Sequence, residues 1–225
     1  MKKKRKRKRL RLKNVFLFLL FVTLIGFIIY GLTYIKVRTY YVYGNNYLTE
    51  EEVLKELKLD KNSSYLLTNN ILEKENIKNS KFLKSVDISR TLYLELKISV
   101  TEYRRLFYDK NDSKVVLENN AKVDYSKENL PVLVSKIEDE NVYNQLVKKM
   151  NKVNDNSLGM ISEIIYSPNE IDKERFLLSM NDGNYVYVTL TKLKKINEYK
   201  SIISTVENKK GILYLDYGNY FVPKE

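Results

Sequence analysis

Val15 to Ile35 is a run of 21 residues without a charged side chain. At about 1.5 Å rise per residue, a helix of that length spans roughly 30 Å, the thickness of a bilayer's hydrocarbon core. Ten of the thirteen residues before Asn14 are Lys or Arg, and none is acidic. Basic blocks stay on the cytoplasmic side of a crossing helix. The pairing therefore predicts a cytoplasmic tail, one membrane crossing, and an extracytoplasmic remainder from Lys36 onward. A cleaved secretory signal is the rival reading. It would have a shorter apolar core and a small-residue cleavage site. This run is longer, and the chain's single alanine is Ala121. The reading is therefore an uncleaved anchor.

The basic block also changes how the net charge is read. The chain carries +12 at pH 7, and removing that block's ten charges leaves +2. The remainder is nearly balanced and is not a polyanion-binding surface. A tail tethered at the bilayer fits topology and attraction to anionic lipid better than nucleic-acid binding, which would want stacking aromatics beside the charge.

Composition narrows the chemistry. There is no Cys and no His. That removes thiol nucleophiles, imidazole bases and the common zinc ligand sets. No serine is followed three residues later by Lys, and the seven glycines form no phosphate loop. The acidic triplets Glu50-Glu51-Glu52 and Glu138-Asp139-Glu140 read as solvated helix starts rather than as a glycosidase pair. The expectation is a protein with no catalytic site, no cofactor and no metal site.

Residues 37–43 read as a strand, closed by the turn Gly44-Asn45-Asn46. Thr49 followed by Glu52 is a capping box for a short helix carrying Val53, Leu54 and Leu57. Thr68 is a second candidate cap, before Ile71, Leu72 and Ile77. Phe82 to Ser89 is a further strand. Then Leu92, Leu94, Leu96, Ile98 and Val100 alternate with polar residues and Tyr93, which predicts a strand with one buried face. The order is β-α-α-β-β.

These residues resemble a polypeptide-transport-associated (POTRA) domain of the kind found in the FtsQ/DivIB division proteins. The resemblance rests on Val42-Tyr43-Gly44-Asn45, Thr49-Glu50-Glu51-Glu52-Val53, Tyr65-Leu66-Leu67, Val86-Asp87-Ile88 and the closing Val100-Thr101-Glu102-Tyr103-Arg104. Thr91-Leu92 stands where the family has a Pro, and the closing motif carries one inserted residue. Beyond it, short strands are expected at Arg105–Tyr108, Lys114–Leu117, Leu130–Ile137 and Met160–Tyr166. A helix carries Val142, Leu146, Met150 and Val153. Asn181-Asp182-Gly183-Asn184 joins a hairpin. Leu193, Ile196, Tyr199, Ile203 and Val206 mark an amphipathic helix, and Ile212 to Leu215 is a late strand before the short run Tyr220-Phe221-Val222. This course resembles the family's β domain.

The fold class expected is thus α+β. A basic tail (1–14) and a single transmembrane helix (15–35) precede a β-α-α-β-β POTRA-like domain (36–103). A mostly antiparallel β domain with flanking helices follows (104–225). The resemblance implies a non-enzymatic scaffold of the bacterial division complex. It implies partners among the small bitopic coiled-coil division proteins (FtsL and FtsB/DivIC-like), and through them the septal peptidoglycan synthase. In the family the partner docks near the end of the β domain. Strand addition at Ile212–Asp216 is the expected mode, with Ile212, Tyr214, Asp216, Tyr217, Tyr220 and Phe221 as contact residues. Core packing explains Ile212, Tyr214 and Leu215 equally well. Tyr40, Tyr41 and Tyr43 are contact candidates on the first strand, or simply pack it. A membrane-anchored cell-wall or sensory binding module unrelated to division, and a carboxylate hydrolase, are the other function classes left open.

Overall fold

The structure, a computed structural model, describes residues 12–68, 75–124, 128–206 and 209–224. Most of the basic tail, and the expected helix residues Ile71 and Leu72, lie outside the described residues. The chain divides into two compact units, 1–102 and 103–225.

The first unit begins with helix α1 (Leu12–Tyr34). Its stretch Lys13–Tyr34 has a mean hydropathy of 2.7 and buries nothing against the rest of the molecule. By length and composition this helix is a candidate membrane span. Three strands follow: β1 (Thr39–Tyr43), β2 (Leu83–Arg90) and β3 (Glu95–Glu102). β3 lies in the middle, parallel to β1 and antiparallel to β2. Helix α2 (Glu50–Glu56) buries Val53, and Leu57 follows it into the core. With Val42, Leu48, Leu83, Val86, Ile88, Leu96, Ile98 and Val100, these side chains form the core of the unit. Glu75–Ile77 is helical. Thr68 is buried, and its hydroxyl donates to the Ser64 carbonyl at 2.7 Å.

The capping box is present in full. The Glu52 N–H donates to Thr49 Oγ1 at 3.2 Å, and the Thr49 N–H donates to Glu52 Oε2 at 2.8 Å. The Thr49 backbone N–H, and then its hydroxyl, hold the Glu52 carboxyl below the usual carboxylate range. A depressed folded-state pKa means that this contribution is complete above the ordinary glutamate range and is lost as pH falls through it. Thr49→Ala is expected to cost about 1 kcal/mol at neutral pH, read from urea denaturation of residues 36–225.

The alternation from Leu92 to Val100 is only partly a strand. Leu96, Ile98 and Val100 are buried on β3, but Leu92 and Leu94 lie in the β2–β3 turn and are exposed. Leu94 adopts φ 61°, a left-handed conformation that turns the chain back. Period-2 spacing persists through the turn without one face ever being covered.

The closing motif divides between the two units. Glu102, at the end of β3, accepts the backbone N–H groups of Asn46, Tyr47 and Leu48 at 3.1, 2.9 and 2.9 Å. Its carboxylate holds the loop between β1 and α2. Two residues on, Arg104 donates to Asp155 Oδ1 at 2.6 Å, to the Val153 carbonyl at 2.6 Å and to the Asn151 carbonyl at 3.3 Å.

The second unit is built on one nine-stranded sheet. Its strands are β4 (Arg105–Asp109), β5 (Lys114–Leu117), β6 (Lys122–Val123), β7 (Val132–Leu133), β8 (Ile161–Tyr166), β9 (Arg175–Met180), β10 (Tyr185–Thr189), β11 (Gly211–Tyr214) and β12 (Tyr220–Pro223). The spatial order is β12-β11-β10-β9-β8-β7-β4-β5-β6. Five of its eight neighbouring pairs are antiparallel; β10–β11, β7–β8 and β4–β7 are parallel. Helix α3 (Glu140–Met150) buries Val142, Leu146 and Met150, as their spacing predicts, but it ends before Val153, which is buried in the segment beyond the helix. The short helix α4 (Asp155–Leu158) follows.

Three expectations are corrected in this unit. Leu130–Ile137 contributes only the two strand residues of β7, because the chain crosses the sheet there briefly between β4 and β8. The amphipathic helix from Leu193 begins as a 3-10 helix (Leu193–Glu198) and becomes α5 (Tyr199–Thr205). The spacing carries the reason. Leu193, Ile196 and Tyr199 recur every three residues, the 3-10 period, whereas Ile203 follows Tyr199 by four. Finally, β11 is not an edge. It pairs with β10 on one side and β12 on the other, so the run Tyr220-Phe221-Val222 forms the edge strand.

Candidate docking site at the terminal strands

The hairpin Asn181-Asp182-Gly183-Asn184 organises this end of the sheet. Gly183 takes φ 87°, and Met180 N–H donates to the Asn184 carbonyl at 2.9 Å. Asn184 is buried. Its side chain donates to Asp182 Oδ2 and to the Tyr199 hydroxyl, and its Oδ1 accepts the Gly211 N–H at 2.8 Å. One side chain thus ties the β9–β10 turn to α5 and to the start of β11. Burial pushes the Tyr199 hydroxyl up, and its bond to Asp182 adds to this. Burial opposes the charged form of Asp182, but the Tyr199 hydroxyl and the Asn184 donors outweigh it, and the carboxyl lies below its ordinary range.

The register then sets the side chains in rows. Tyr187 on β10 faces Tyr214 on β11, which faces Tyr220 on β12. The rings stack at 5.4 Å and 4.7 Å between centroids. At the other end of the row the Arg175 guanidinium lies 3.6 Å from the Tyr187 ring centroid. Arg175 also donates to Asp216 Oδ2 at 2.7 Å, with side chains only 14% and 10% exposed. Lys192 Nζ donates to the Asp216 carbonyl at 2.7 Å. A charged anchor therefore fixes one end of an aromatic row that reaches the sheet edge.

Parity divides the predicted contact residues. Ile212 and Tyr214 are half-buried on the aromatic face, while Leu213 and Leu215 point into the core. Phe221 also packs against the core cluster, on the side opposite Tyr220. Tyr214, Asp216, Tyr217 and Tyr220 line a cleft of about 560 Å³. Asn169, Ile171, Asp172, Arg175, Thr189 and Lys192 complete its walls. Tyr217 is 80% exposed, and Tyr220 and Val222 are exposed beside it. Arg175 and Tyr187 were missed from the sequence, although counting outward from the hairpin would have put Tyr185 and Tyr187 on one face. In the first unit, Tyr41 and Tyr43 are exposed on β1, whereas Tyr40 turns to the other face and donates to the Asp60 carbonyl at 2.6 Å.

The edge itself is asymmetric. Lys224 N–H donates to the Lys210 carbonyl at 2.8 Å, so even-numbered residues of β12 bond inward to β11. Phe221 N–H and C=O and Pro223 C=O then face outward, and Pro223 has no N–H to offer. This edge presents two acceptors and one donor to an incoming strand. Among the described residues, no three Asp or Glu side chains converge so as to hold a metal ion.

Comparison with known proteins agrees with this architecture. The model of the FtsQ-type POTRA domain matches residues 35–103. Cell division protein DivIB of Listeria monocytogenes serovar 1/2a is 30% identical over 211 residues, spanning 90% of this chain and 78% of that protein. DivIB of Bacillus subtilis (strain 168) is 30% identical over 212 residues, spanning 90% and 80%. The chain belongs to the DivIB family of cell division proteins. A third DivIB, from Brevibacillus brevis, is 31% identical over 216 residues and spans 92% and 82%. The solved major extracytoplasmic domain of DivIB from Geobacillus stearothermophilus, in its trans isomer, superposes at TM-score 0.41. It is 26% identical and covers 48% of this chain and 97% of its own. DivIB membership gives the chain a role in the cell-division complex, with a POTRA domain followed by a β-rich unit. DivIB is not known as an enzyme family.

Proposed function

We propose that this member of the DivIB family is a bitopic scaffold. Its basic tail is cytoplasmic, α1 crosses the membrane, and both folded units lie outside at the division septum. Its β unit captures a strand from a small bitopic coiled-coil division protein of the FtsL or FtsB/DivIC kind, and so acts indirectly on the septal peptidoglycan synthase. The observation that carries this reading is the open edge of β12 beside the aromatic row. Unpaired backbone groups at a sheet edge bind an added strand, while side chains set its specificity. Tyr214, Tyr217 and Tyr220 supply the rigid amphipathic contact area that interface centres favour. Asp216 acts through Arg175 to hold the row in place.

The test is a chain ended after Tyr217. It lacks β12 but keeps Leu213 and Leu215, which the core needs. Co-purification of the coiled-coil partners is expected to be lost, while the truncated chain still melts cooperatively. Undiminished co-purification would remove β12 as the docking edge.

A further inference from the structure

Seven large apolar side chains are exposed among the described residues of 36–102. Tyr41 and Tyr43 are on β1. The other five are Leu66, Leu67, Leu92, Tyr93 and Leu94. They belong to two segments far apart in sequence, and both meet the chain where it leaves α1. Ser64 Oγ donates to the Leu32 carbonyl in the last turn of α1 at 2.9 Å, and Tyr65 N–H donates to the Ile35 carbonyl at 2.8 Å. Arg38 N–H donates to the Leu94 carbonyl at 2.8 Å. The Tyr65 hydroxyl, donating to the Thr91 carbonyl, and Arg90, donating to the carbonyls of Tyr65 and Leu66, bind the two segments to each other.

The distances fix the level of this patch. Four residues of extended chain reach at most about 14 Å, so Arg38 and the Leu94 carbonyl stay within that reach of the helix end. A 23-residue helix is about 35 Å long, somewhat more than the hydrocarbon core, which puts its last turn among the headgroups. The turn Thr91-Leu92-Tyr93-Leu94 is also chemically odd for water. Exposed turns favour Gly, Asn, Asp, Ser and Pro. Here Leu92 is 96% and Tyr93 71% exposed, and Leu94 holds a positive φ.

We infer that the β2–β3 turn, with Leu66 and Leu67, rests in the headgroup layer of the membrane that α1 crosses. The membrane-proximal unit is thereby docked on lipid rather than held by α1 alone. Tyr suits that boundary because its ring is apolar and its hydroxyl stays wet, and Leu suits the apolar side that enters the acyl boundary. Lys36 and Arg38 are exposed beside the patch and complement anionic headgroups. A large apolar patch on a folded unit marks a contact surface. Here the adjoining helix end says which surface: the lipid it emerges from. The inference rests on α1 being a membrane anchor, and the test separates the two.

The chain has no Cys, so single cysteines can carry an environment-sensitive fluorophore in the full-length protein. The protein is reconstituted in vesicles of phosphatidylcholine and phosphatidylglycerol, with nitroxide-bearing lipids as quenchers. Labels are placed at Leu92→Cys, at Phe27→Cys inside α1, and at Glu51→Cys beyond the far end of β1. The Leu92 label is expected to emit blue-shifted light and to be quenched severalfold more than the Glu51 label by headgroup-level nitroxide. The Phe27 label is quenched best by deep nitroxide. A Leu92 label as wet as Glu51, with Phe27 deep, overturns lipid docking and leaves the patch to a protein partner. A wet Phe27 label overturns the anchor, and the docking with it.

Discussion

Glu102→Ala is expected to lower the stability of the membrane-proximal unit by about 3 kcal/mol, because one carboxylate serves three backbone donors. Leu48 is buried, so its N–H gains no full replacement from water. Hydrogen bonds to a charged group are stronger than neutral ones, and a buried donor left without a partner costs more than the bond itself was worth. The effect should be local first. Amide exchange at Asn46, Tyr47 and Leu48 is expected to accelerate by more than about tenfold, while the β3 amides, deep in the sheet, accelerate only with global opening. Glu102→Gln separates charge from shape. It keeps one acceptor and turns an amide NH₂ toward the remaining donors, so it should recover little. Unchanged exchange at Tyr47 and Leu48 in the alanine variant would show that the loop holds itself.

Gly211→Val carries the second large effect, on the edge strand. A Cβ at position 211 would meet the Val222 carbonyl oxygen at 2.2 Å, the Phe221 ring at 2.7 Å and Pro223 Cα at 2.9 Å. The nearest obstacle and Pro223 Cα are backbone, which cannot swing aside as a side chain can. β12 must therefore separate from β11, at a cost of about 3 kcal/mol, the upper end of ordinary overpacking. The Gly211 N–H bond to Asn184 does not need β12, so β11 and the core behind it stay in place. The expected result is a folded β unit with an unpaired terminal segment. Partner binding should fall by at least about a hundredfold, close to 3 kcal/mol. Gly159→Ala is the control, because its added Cβ meets nothing closer than 3.4 Å. Wild-type affinity in Gly211→Val would argue against β12 as the docking strand.

Both predictions turn on residues whose importance the sequence only half disclosed. Glu102 was visible within a closing motif, yet its three backbone partners sit more than fifty residues earlier and meet it only because β1 lies beside β3. Gly211 stood just before the strand expected at Ile212 to Leu215, and nothing local singled it out. Its need to be glycine comes from β12 folding back over it.

Local signals read well where the physics is local. The uncharged run is long enough to cross a bilayer whatever follows it. Thr49 and Glu52 cap a helix through atoms three residues apart. Asn181 to Asn184 turn a hairpin because Gly183 tolerates a positive φ. Buried faces at Leu96, Ile98 and Val100, and at Val142, Leu146 and Met150, follow from the periods of strand and helix. Signals failed where an outcome depended on what stands opposite. Leu92 and Leu94 keep the alternation of a strand, but no second layer covers them. Leu193 to Tyr199 kept the spacing of three that a 3-10 helix uses, and the longer stripe hid it.

The sequence by itself thus determined the long apolar helix, the Thr49 cap, the Asn181–Asn184 turn and the apolar faces of β3 and α3, since each depends on neighbours within a few residues. Only the tertiary structure decided that β12 rather than β11 is the sheet edge, and that Arg175, Tyr187, Tyr214 and Tyr220 form one row. It also decided that the Leu92 turn lies beside the end of α1. Strand order and register are contacts between distant segments, and a residue's own sequence context holds no record of which strand will lie beside it.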